Sequence, residues 1–339
     1  MYNYILADCV ENEVIDLQTG LKQATGQDWE IKTKISNWGR DNYFRKVWRY
    51  VLYFLFPFSL LFKKKKINNI IGWQQFYALN LAFFCNILHV KKDIKIYPVN
   101  FTYKQKKGLL GKIYFNYMKS IVKSKYIKKI FVLSEDYAKK CADTFDVDLN
   151  KFGVIPFGVP DLYSLYKDSV KPLSYDYVLA IGRSNRDYDW LIEEWNDIDD
   201  NLVIICDTYI PKVKLPKNVF ILSNVSGDAQ FPYIMNCKYS ILPIDDGSIC
   251  SGDTVILNTM AFKKTIIVTE PSTLSEMYIK NGINGYCVSK NKGQLKKLVN
   301  NLKLLDNKAR KSYLDNFSRF SMGYKIGKLL IEVNNYEKS

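Results

Sequence analysis

The chain has 339 residues, 47% of them hydrophobic, and carries a formal net charge of +15 at pH 7. This length and composition favour two globular domains over one and exclude an intrinsically disordered chain. The single histidine, His89, excludes a multi-histidine metal site, and the seven scattered cysteines, without a C-x-x-C pair, indicate reduced thiols and argue against a zinc module. The opening segment MYNYILADCV lacks a basic region followed by a long apolar one, so no signal peptide is predicted.

Positive charge is concentrated in the first half. Residues 1–160 contain 26 Lys and Arg against 13 Asp and Glu, whereas residues 161–339 contain 23 against 21. The first half is therefore predicted to meet an anionic partner, for which nucleic acid and an anionic membrane surface are the candidates. No recognition-helix, RNP or zinc signature supports nucleic acid, and lysine beside long apolar runs suits a lipid surface better.

Strands and helices are predicted to alternate through the first half, with strands at 3–9, 67–71, 94–99, 130–133 and 152–156. The apolar run at 79–90 predicts a packed helix that includes His89. Three lysines fall on a loop at a strand end, and Gly108 and Gly111 are expected to keep that loop mobile. The alternation predicts a doubly wound α/β domain.

Residues 37–62 combine aromatic and basic side chains. The uncharged part, residues 50–62, has thirteen residues, which is shorter than the roughly 20 that a spanning helix needs, and Pro57 is expected to kink or end the helix. The pattern predicts a segment that lies in the headgroup region of an anionic leaflet; the alternative is a buried core helix followed by a solvated lysine turn. The candidate membrane residues are Arg49, Phe54, Phe56, Lys63, Lys64, Lys65 and Lys66.

The second half repeats the alternation. Strands are predicted at 177–181, 202–206, 219–222, 239–244, 265–268 and 285–288, and helices at 188–195, 228–235, 274–280 and 294–305. The predicted domains are residues 1–158, completed by a terminal helix at 322–339, and residues 159–321. Two α/β domains around a cleft are therefore expected.

The stretch at 242–268 reads as strand, glycine-containing turn, helix and strand, which is the unit of an open parallel sheet. In such sheets the helix N-terminus lies at the carboxyl edge of the strands, where ligands bind. Ser251 and Gly252 at that N-terminus would offer backbone N–H groups and the positive end of the helix dipole to a phosphate. The alternative is an ordinary capped crossover with nothing bound.

An ordered series of motifs occurs over residues 154–285. Residues 154–159 read VIPFGV, residues 182–188 read GRSNRDY and residues 251–261 read SGDTVILNTMA, followed by Glu276 and Asn284-Gly285. In this order they resemble the interdomain hinge, the G-R segment of the donor domain, the G-x-T-x-L-E-A-M-A helix and the elements that follow it in the glycosyltransferases of the GT-B fold. Within that fold the resemblance is to the family-4-type (group 1) enzymes of bacterial capsule, exopolysaccharide and O-antigen assembly. The resemblance implies two Rossmann-like domains that face each other across a cleft.

It also implies a site for a nucleotide-sugar donor in the second domain. Arg183 and Arg186 are the candidates that stabilise the charge of the diphosphate leaving group; the alternative is a pair of solvated loop arginines. Asn258 stands where the family commonly has a ribose-binding Glu, and Cys250 stands where a partner Glu is usual. Asp245 and Asp246 either contact the donor sugar or merely solubilise the turn. The full set of candidate donor-binding residues is Gly182, Asp245, Asp246, Ser251, Gly252, Asp253, Thr254, Asn258 and Glu270.

The first domain is implied to hold the acceptor. Its candidate residues are Gln74, Gln75, Lys104, Lys106 and Lys107. The family's frequent His at a strand end has no match here. If the enzyme inverts the anomeric configuration, a catalytic base is needed, and Asp8, Glu11, Glu13 and Glu135 are the strand-end carboxylates available, among which the sequence does not choose. Glu135 joins Arg183 and Arg186 as a catalytic candidate. Many enzymes of the GT-B fold are metal-independent, so the resemblance implies neither a metal nor another cofactor.

These features lead to one principal hypothesis and two others. The first is transfer of a sugar, from a nucleotide sugar that is UDP-linked, to a polyprenyl-diphosphate-linked glycan in surface polysaccharide synthesis at the cytoplasmic face of the membrane. The second is a catalytically inactive, sugar-nucleotide-binding or scaffold subunit, suggested by Asn258 and Cys250. The third is a basic nucleic-acid-binding protein; no nucleic-acid partner is expected.

Overall fold

The computed structural model describes residues 2–35, 42–62, 67–91 and 93–336. Within these residues the chain divides into two compact units. The first unit contains the residues up to Pro160 and those from Arg319 onward, and the second unit is Asp161–Ser318. The two units meet at Pro160/Asp161 and at Ser318/Arg319, close to the boundaries that the sequence predicts at 158/159 and 321/322.

Strands and helices alternate along the first unit. The strands are β1 (Tyr2–Ala7), β2 (Trp29–Thr33), β3 (Ile67–Gly72), β4 (Lys95–Pro98), β5 (Ile130–Val132) and β6 (Phe152–Val154), and the helices among them are α1 (Ile15–Thr25), α2 (Tyr43–Leu60), α3 (Gln75–Ile87), α4 (Gly108–Val122) and α5 (Glu135–Phe145). The order β2-β1-β3-β4 forms one parallel sheet, and β5 and β6 form a parallel pair. This pair adjoins β4, because Phe101 N donates to the Phe131 carbonyl (2.9 Å).

The second unit contains the remaining strands and all remaining helices but one. Its strands are β7 (Val178–Ile181), β8 (Leu202–Ile205), β9 (Val219–Leu222), β10 (Ser240–Leu242), β11 (Ile266–Glu270) and β12 (Tyr286–Ser289), and its helices are α6 (Tyr163–Tyr166), α7 (Tyr188–Trp195), α8 (Phe231–Asn236), α9 (Asp253–Ala261), α10 (Thr273–Tyr278), α11 (Gln294–Asn300) and α12 (Asp306–Asn316). The last helix, α13 (Arg319–Tyr336), belongs to the first unit. The parallel sheet has the order β12-β11-β10-β7-β8-β9.

Each sheet reverses its strand order at one point. In the first unit the strands on either side of this point are β1 and β3, and in the second unit they are β7 and β10. Ligands of open α/β sheets bind outside the carboxyl ends of the strands at such a switch point. The topology therefore predicts ligand sites at the loops that follow these four strands.

The sequences of the strands explain why both sheets are covered by helices. β7 and β8 are short apolar runs in which every residue is buried, as expected for parallel strands packed on both faces. Along β1, Tyr4 and Leu6 enter one core, whereas Ile5 enters another that includes residues of α1 and α13. The predicted α/β class, with two Rossmann-like units, is confirmed.

Glycines allow α13 to approach α1 closely. A Cβ at Gly20 would lie 2.1 Å from the Phe320 carbonyl oxygen, and a Cβ at Gly323 would lie 2.2 Å from the Leu17 carbonyl oxygen. Only glycine fits at these two crossing points, which fixes the C-terminal helix against the first unit.

Helix α2 continues through Pro57 to Leu60, so the helix does not end at this proline. Proline has no N–H to donate to the carbonyl four residues earlier, which belongs to Tyr53. The buried Asn80 of α3 supplies the missing donor, since its Nδ2 lies 2.6 Å from the Tyr53 carbonyl oxygen. A side chain from another helix thus replaces the backbone bond that Pro57 cannot make.

Three other local expectations were wrong. Gly108 begins α4, and Gly111 is buried within it, so neither glycine lies in a loop. His89 is exposed beyond the end of α3, with a φ of 46°, and does not pack within a helix. The helix predicted at 294–305 ends at Asn300, and α12 follows it.

Candidate active site

A cavity of about 490 Å³ lies at the carboxyl edge of the second sheet. Its walls come from the loops after β7, β8 and β9 and from the first turn of α9, so it occupies the switch point. The volume falls within the roughly 300–1,000 Å³ of small-molecule sites. The lining residues are Ile181, Gly182, Arg183, Ser184, Arg186, Ile205, Cys206, Asp207, Val225, Ser226, Gly227, Gln230, Cys250, Ser251, Gly252, Asp253, Thr254 and Val255.

Two glycines open the floor of this cavity. Gly182 and Gly252 have φ values of 137° and 132°, which L side chains rarely adopt. A Cβ at either position would also lie 2.7 Å from Nη2 of Arg186. The backbone of both loops can therefore approach a ligand, and the Arg186 guanidinium lies between them.

Arg186 joins the loop after β7 to the loop before α9. Its Nη1 donates to the carbonyl oxygens of Ser184 and Ser251, both at 2.7 Å. Burial lowers the pKa of the guanidinium from its ordinary value, although arginine stays protonated in proteins. One side of the guanidinium thus positions the loops, while the Nη2 side remains next to the two glycines.

Arg183 forms an ion pair with Asp207. Nη2 of Arg183 lies 2.8 Å from Oδ2 of Asp207, and 58% of the arginine side chain is exposed. Asp207 follows β8, and both residues line the cavity. A cation and a carboxylate are therefore held together on one wall, within reach of the same ligand.

The first turn of α9 forms the opposite wall. Gly252 is its N-cap, so no side-chain cap covers the helix N-terminus. The carboxylate of Asp253 accepts from the Thr254 N–H at 2.8 Å. The positive end of the helix dipole faces the cavity, as in anion-binding sites, with an acidic side chain at its edge.

The carboxyl edge of the first sheet carries a second group of polar side chains. Gln74 Nε2, just after β3, donates to Oδ2 of Asp8, just after β1, at 2.7 Å. Gln75 Nε2 and Oε1 bond to Oγ1 and the backbone N–H of Thr102, respectively. Burial, together with the charges of Glu13 and Asp8, raises the pKa of Cys9 to about 12, so this thiol stays protonated. The switch point of the first unit therefore presents an acid next to an amide.

Solved structures match this chain over nearly its whole length. A glycosyltransferase from Rickettsia africae ESF-5 is 16% identical, with a TM-score of 0.64 and 98% of each chain covered. The lipopolysaccharide outer core galactosyltransferase WaaB, in its apo form, is 12% identical with a TM-score of 0.63, and HepE of Anabaena in complex with UDP is 10% identical with a TM-score of 0.60. Each of these two matches covers 98% of this chain and 100% of the other. The chain has the GT-B fold.

The predicted resemblance to GT-B glycosyltransferases is thus confirmed at the level of the fold. No family model matches the chain, and no curated protein matches it. In the described residues of this GT-B fold, no helix is long and apolar enough to cross a membrane. The same residues contain no group of three or more His, Cys, Asp or Glu that could hold a metal ion.

Only some of the predicted catalytic and donor-binding residues line the cavity. Gly182, Arg183, Arg186 and residues 251–254 line it, whereas Asp245, Asp246, Asn258 and Glu270 do not. The carboxylate of Asp246 accepts from the Ser248 N–H and hydroxyl, which lowers the pKa of this carboxyl and shapes the loop. Glu270 lines a separate cavity of about 470 Å³ beside Cys287. Roles for these four residues stay predictions.

The remaining candidates lie at several places in the first unit. Lys104, Lys106, Lys107 and Glu135 are exposed, and Glu135 starts α5. Phe54 is 41% exposed, but Phe56 packs against Tyr77 with ring centroids 4.8 Å apart, so Phe56 faces the core rather than a membrane. Arg49 is half-buried. Lys63, Lys64, Lys65 and Lys66 lie outside the described residues.

Sequence reasoning missed several residues of the cavity. These are Asp207, Cys206, Val225, Ser226, Gly227 and Gln230. The predicted strands at 202–206 and 219–222 could have indicated them, because all strands of a parallel sheet end at the same edge. Their convergence on Arg183, however, depends on which strands are neighbours, and the strand order was not predicted.

Proposed function

We propose that the chain is a glycosyltransferase that transfers a sugar from a nucleoside-diphosphate sugar to an acceptor bound by the first unit. The observation that carries this proposal is the cavity at the β7–β10 switch point, where two glycines, two arginines and a helix N-terminus converge. Each of these features favours an anion, and together they suit a diphosphate.

The reaction explains why these groups are needed. As the glycosidic bond breaks, negative charge develops on the diphosphate leaving group, and fixed cations aimed at that charge lower the barrier. Arg183 supplies an exposed guanidinium, and Arg186 supplies one whose position is fixed by two carbonyls. Gly252 allows the backbone at the start of α9 to approach the same phosphates.

We assign the ribose of the donor to Asp207. An acidic residue after the second strand of a Rossmann-like unit commonly accepts hydrogen bonds from ribose hydroxyls. Asp207 follows β8, the second strand of this unit, and lines the cavity, whereas Asn258 does not. A ribonucleotide then spans the cavity, with its base against the loop at 225–230 and its diphosphate against α9.

UDP is the nucleotide we propose. HepE has been solved with UDP and with UDP-glucose, and its fold is that of this chain. We further propose that transfer needs no metal ion, because the two arginines can neutralise the diphosphate.

The acceptor we propose is a polyprenyl-diphosphate-linked glycan at the cytoplasmic face of the membrane, in surface polysaccharide synthesis. The support is the composition of the first unit, where exposed aromatic residues such as Phe44 and Trp48 accompany the excess of Lys and Arg. Aromatic and basic side chains together suit the headgroup region of an anionic leaflet. In this scheme the first unit docks on the membrane that carries its substrate.

A catalytically inactive, nucleotide-binding subunit is the second candidate. Cys250 and Asn258 stand where two carboxylates are usual, and Asp253 adds negative charge beside the proposed phosphate position. Such a subunit would bind the nucleotide without transferring sugar.

Thermal-shift titration with UDP, GDP, CMP and ADP, on the wild type and on Arg183→Ala, tests the proposal. We expect UDP alone to stabilise the protein strongly, with about tenfold weaker affinity in the variant, because one charge-assisted contact is lost. EDTA should leave the response unchanged. If no nucleotide stabilises the folded protein, the proposed donor site is wrong. UDP binding without sugar release or transfer would favour the inactive, nucleotide-binding subunit.

A further inference from the structure

A second cavity, of about 550 Å³, lies in the first unit between α2, α3 and α4. We call it the α2–α4 groove. Its walls are mainly aromatic and aliphatic, and no carboxylate is among the lining residues that the structure describes. These residues are Tyr50, Tyr53, Phe54, Phe76, Asn80, Lys106, Leu110, Ile113, Tyr114 and Tyr117.

The polar atoms at the base of the groove are already paired. The Tyr117 hydroxyl donates to Oδ1 of Asn80, and Nδ2 of Asn80 donates to the Tyr53 carbonyl. Burial raises the pKa of Tyr117 and of Tyr114, so neither phenol ionises near neutral pH. A ligand inside the groove therefore meets neutral, apolar surface.

One lysine stands at the rim. Lys106 Nζ lies 4.5 Å from the centroid of the Tyr114 ring, and no ion pair with a carboxylate is seen for it among the described residues. Lys104 and Lys107 are exposed on the same loop. The rim is thus cationic while the interior is apolar, which is complementary to a hydrocarbon chain that ends in a phosphate.

The groove also connects to the carboxyl edge of the first sheet. The Tyr53 side chain lines the groove, and Gln74 Nε2 lies 3.4 Å from the Tyr53 hydroxyl and 2.7 Å from Asp8 Oδ2. A ligand that extends past Tyr53 reaches the switch point of this unit, where the sugar of an acceptor would be needed.

We propose that the α2–α4 groove binds the hydrocarbon chain of a phosphate-bearing isoprenoid lipid, with Lys106 on its phosphate. This inference rests on the proposed function, and it identifies where the lipid of the acceptor is held. The lipid chain enters between α2 and α4, its phosphate meets Lys106 at the rim, and the attached glycan extends towards Gln74 and Asp8.

Two neighbouring leucines make a matched test. Leu110 and Leu109 are 78% and 75% exposed on the same helix, but only Leu110 lines the groove. We would titrate the wild type, Leu110→Asp and Leu109→Asp with farnesyl phosphate below its micelle concentration. We expect Leu110→Asp to weaken binding about tenfold or more, since a carboxylate then faces the hydrocarbon, and Leu109→Asp to bind like the wild type.

The phosphate contact is tested with a second pair. Lys106→Gln should bind farnesyl phosphate no better than farnesol. Lys112→Gln removes an exposed lysine of α4 that does not line the groove, so this variant should keep the wild-type preference for the phosphate. Inorganic phosphate alone should bind too weakly to measure, because the apolar wall supplies most of the affinity.

Parallel titrations with UDP separate this inference from the proposed function. UDP binding without farnesyl phosphate binding would overturn the proposal that the groove binds lipid, and it would leave the proposed donor site intact. Equal losses in Leu109→Asp and Leu110→Asp would also overturn it, since general adsorption to a lipid surface would then explain the binding. Lipid binding that depends on Leu110 and Lys106 without any nucleotide response would support a lipid site and reject the transferase.

Discussion

At the residue scale, we propose that Arg186 and Arg183 have different roles in the candidate donor site. Arg186 is held by the Ser184 and Ser251 carbonyls, so its guanidinium has a fixed position next to Gly182 and Gly252. Arg183 is more exposed and is balanced by Asp207, so it can change partner when a ligand arrives. A nucleotide that takes Arg183 for its diphosphate leaves Asp207 for its ribose.

Substitution of Asp207 by Asn tests this division. We expect Asp207→Asn to weaken UDP binding about tenfold, because a charged acceptor for the ribose is lost. Affinity for inorganic pyrophosphate should not fall, since Arg183 is released from its ion pair. Calorimetric titrations with UDP, 2′-deoxy-UDP and pyrophosphate measure both effects.

The control in that experiment is the deoxynucleotide. Wild-type protein should prefer UDP to 2′-deoxy-UDP, and the variant should lose that preference. Equal losses of affinity for UDP and pyrophosphate would instead mean that Asp207 supports the phosphate site through Arg183, and the ribose assignment would be wrong.

The sequence identified Arg183, Arg186, Gly182 and the turn at 251–254 because they lie in contiguous motifs next to predicted strands. It could not identify Asp207, whose partner is 24 positions away, on the loop after a neighbouring strand. Pairings of this kind depend on strand order, which hydrophobic periodicity does not contain.

At the element scale, α2 shows how tertiary contacts override a local rule. Pro57 removes one backbone donor, and Asn80 of α3 replaces it at the Tyr53 carbonyl. The sequence shows that Pro57 removes a hydrogen-bond donor from the helix. It does not show that Asn80 replaces this donor, because Asn80 is 23 residues further along the chain. The strands were easier to predict, since short apolar runs such as Val178–Ile181, followed by turn residues, are typical of buried strands.

Exchange of Asn80 for Leu should therefore destabilise the first unit in a way that depends on Pro57. We expect Asn80→Leu to cost about 1–3 kcal/mol of unfolding free energy, because the buried Tyr53 carbonyl loses its donor. The cost should be smaller in a Pro57→Ala background, where the backbone N–H of residue 57 can make the helical bond.

Urea denaturation of the two single variants and the double variant forms a double-mutant cycle for this test. Strictly additive effects would show that Asn80 and Pro57 act independently, contrary to the proposed compensation. The Tyr117 hydroxyl loses its acceptor in both variants that carry Asn80→Leu, so this loss cancels in the cycle.

At the scale of the whole molecule, the two Rossmann-like units carry different chemistry on the same kind of sheet edge. The second unit offers cations, glycines and a helix N-terminus at its switch point, whereas the first offers Asp8 with Gln74 and an adjacent apolar groove. The net positive charge of the first half was evident from the sequence, but the groove was not. It forms only where three helices meet, and α4 was not predicted.

The most direct measurement is a calorimetric titration of UDP into the wild type, Gly252→Ala and Gly293→Ala. Both glycines have positive φ values, but a Cβ at Gly293 has nothing within 4 Å, whereas one at Gly252 would lie 2.7 Å from Arg186 Nη2 and would enter the cavity. We predict a single UDP site in the wild type and in Gly293→Ala, and loss of most UDP affinity in Gly252→Ala, with backbone strain of order 1–3 kcal/mol in either variant. Wild-type affinity for UDP in folded Gly252→Ala would contradict the account, because the nucleotide would then bind somewhere other than this cavity.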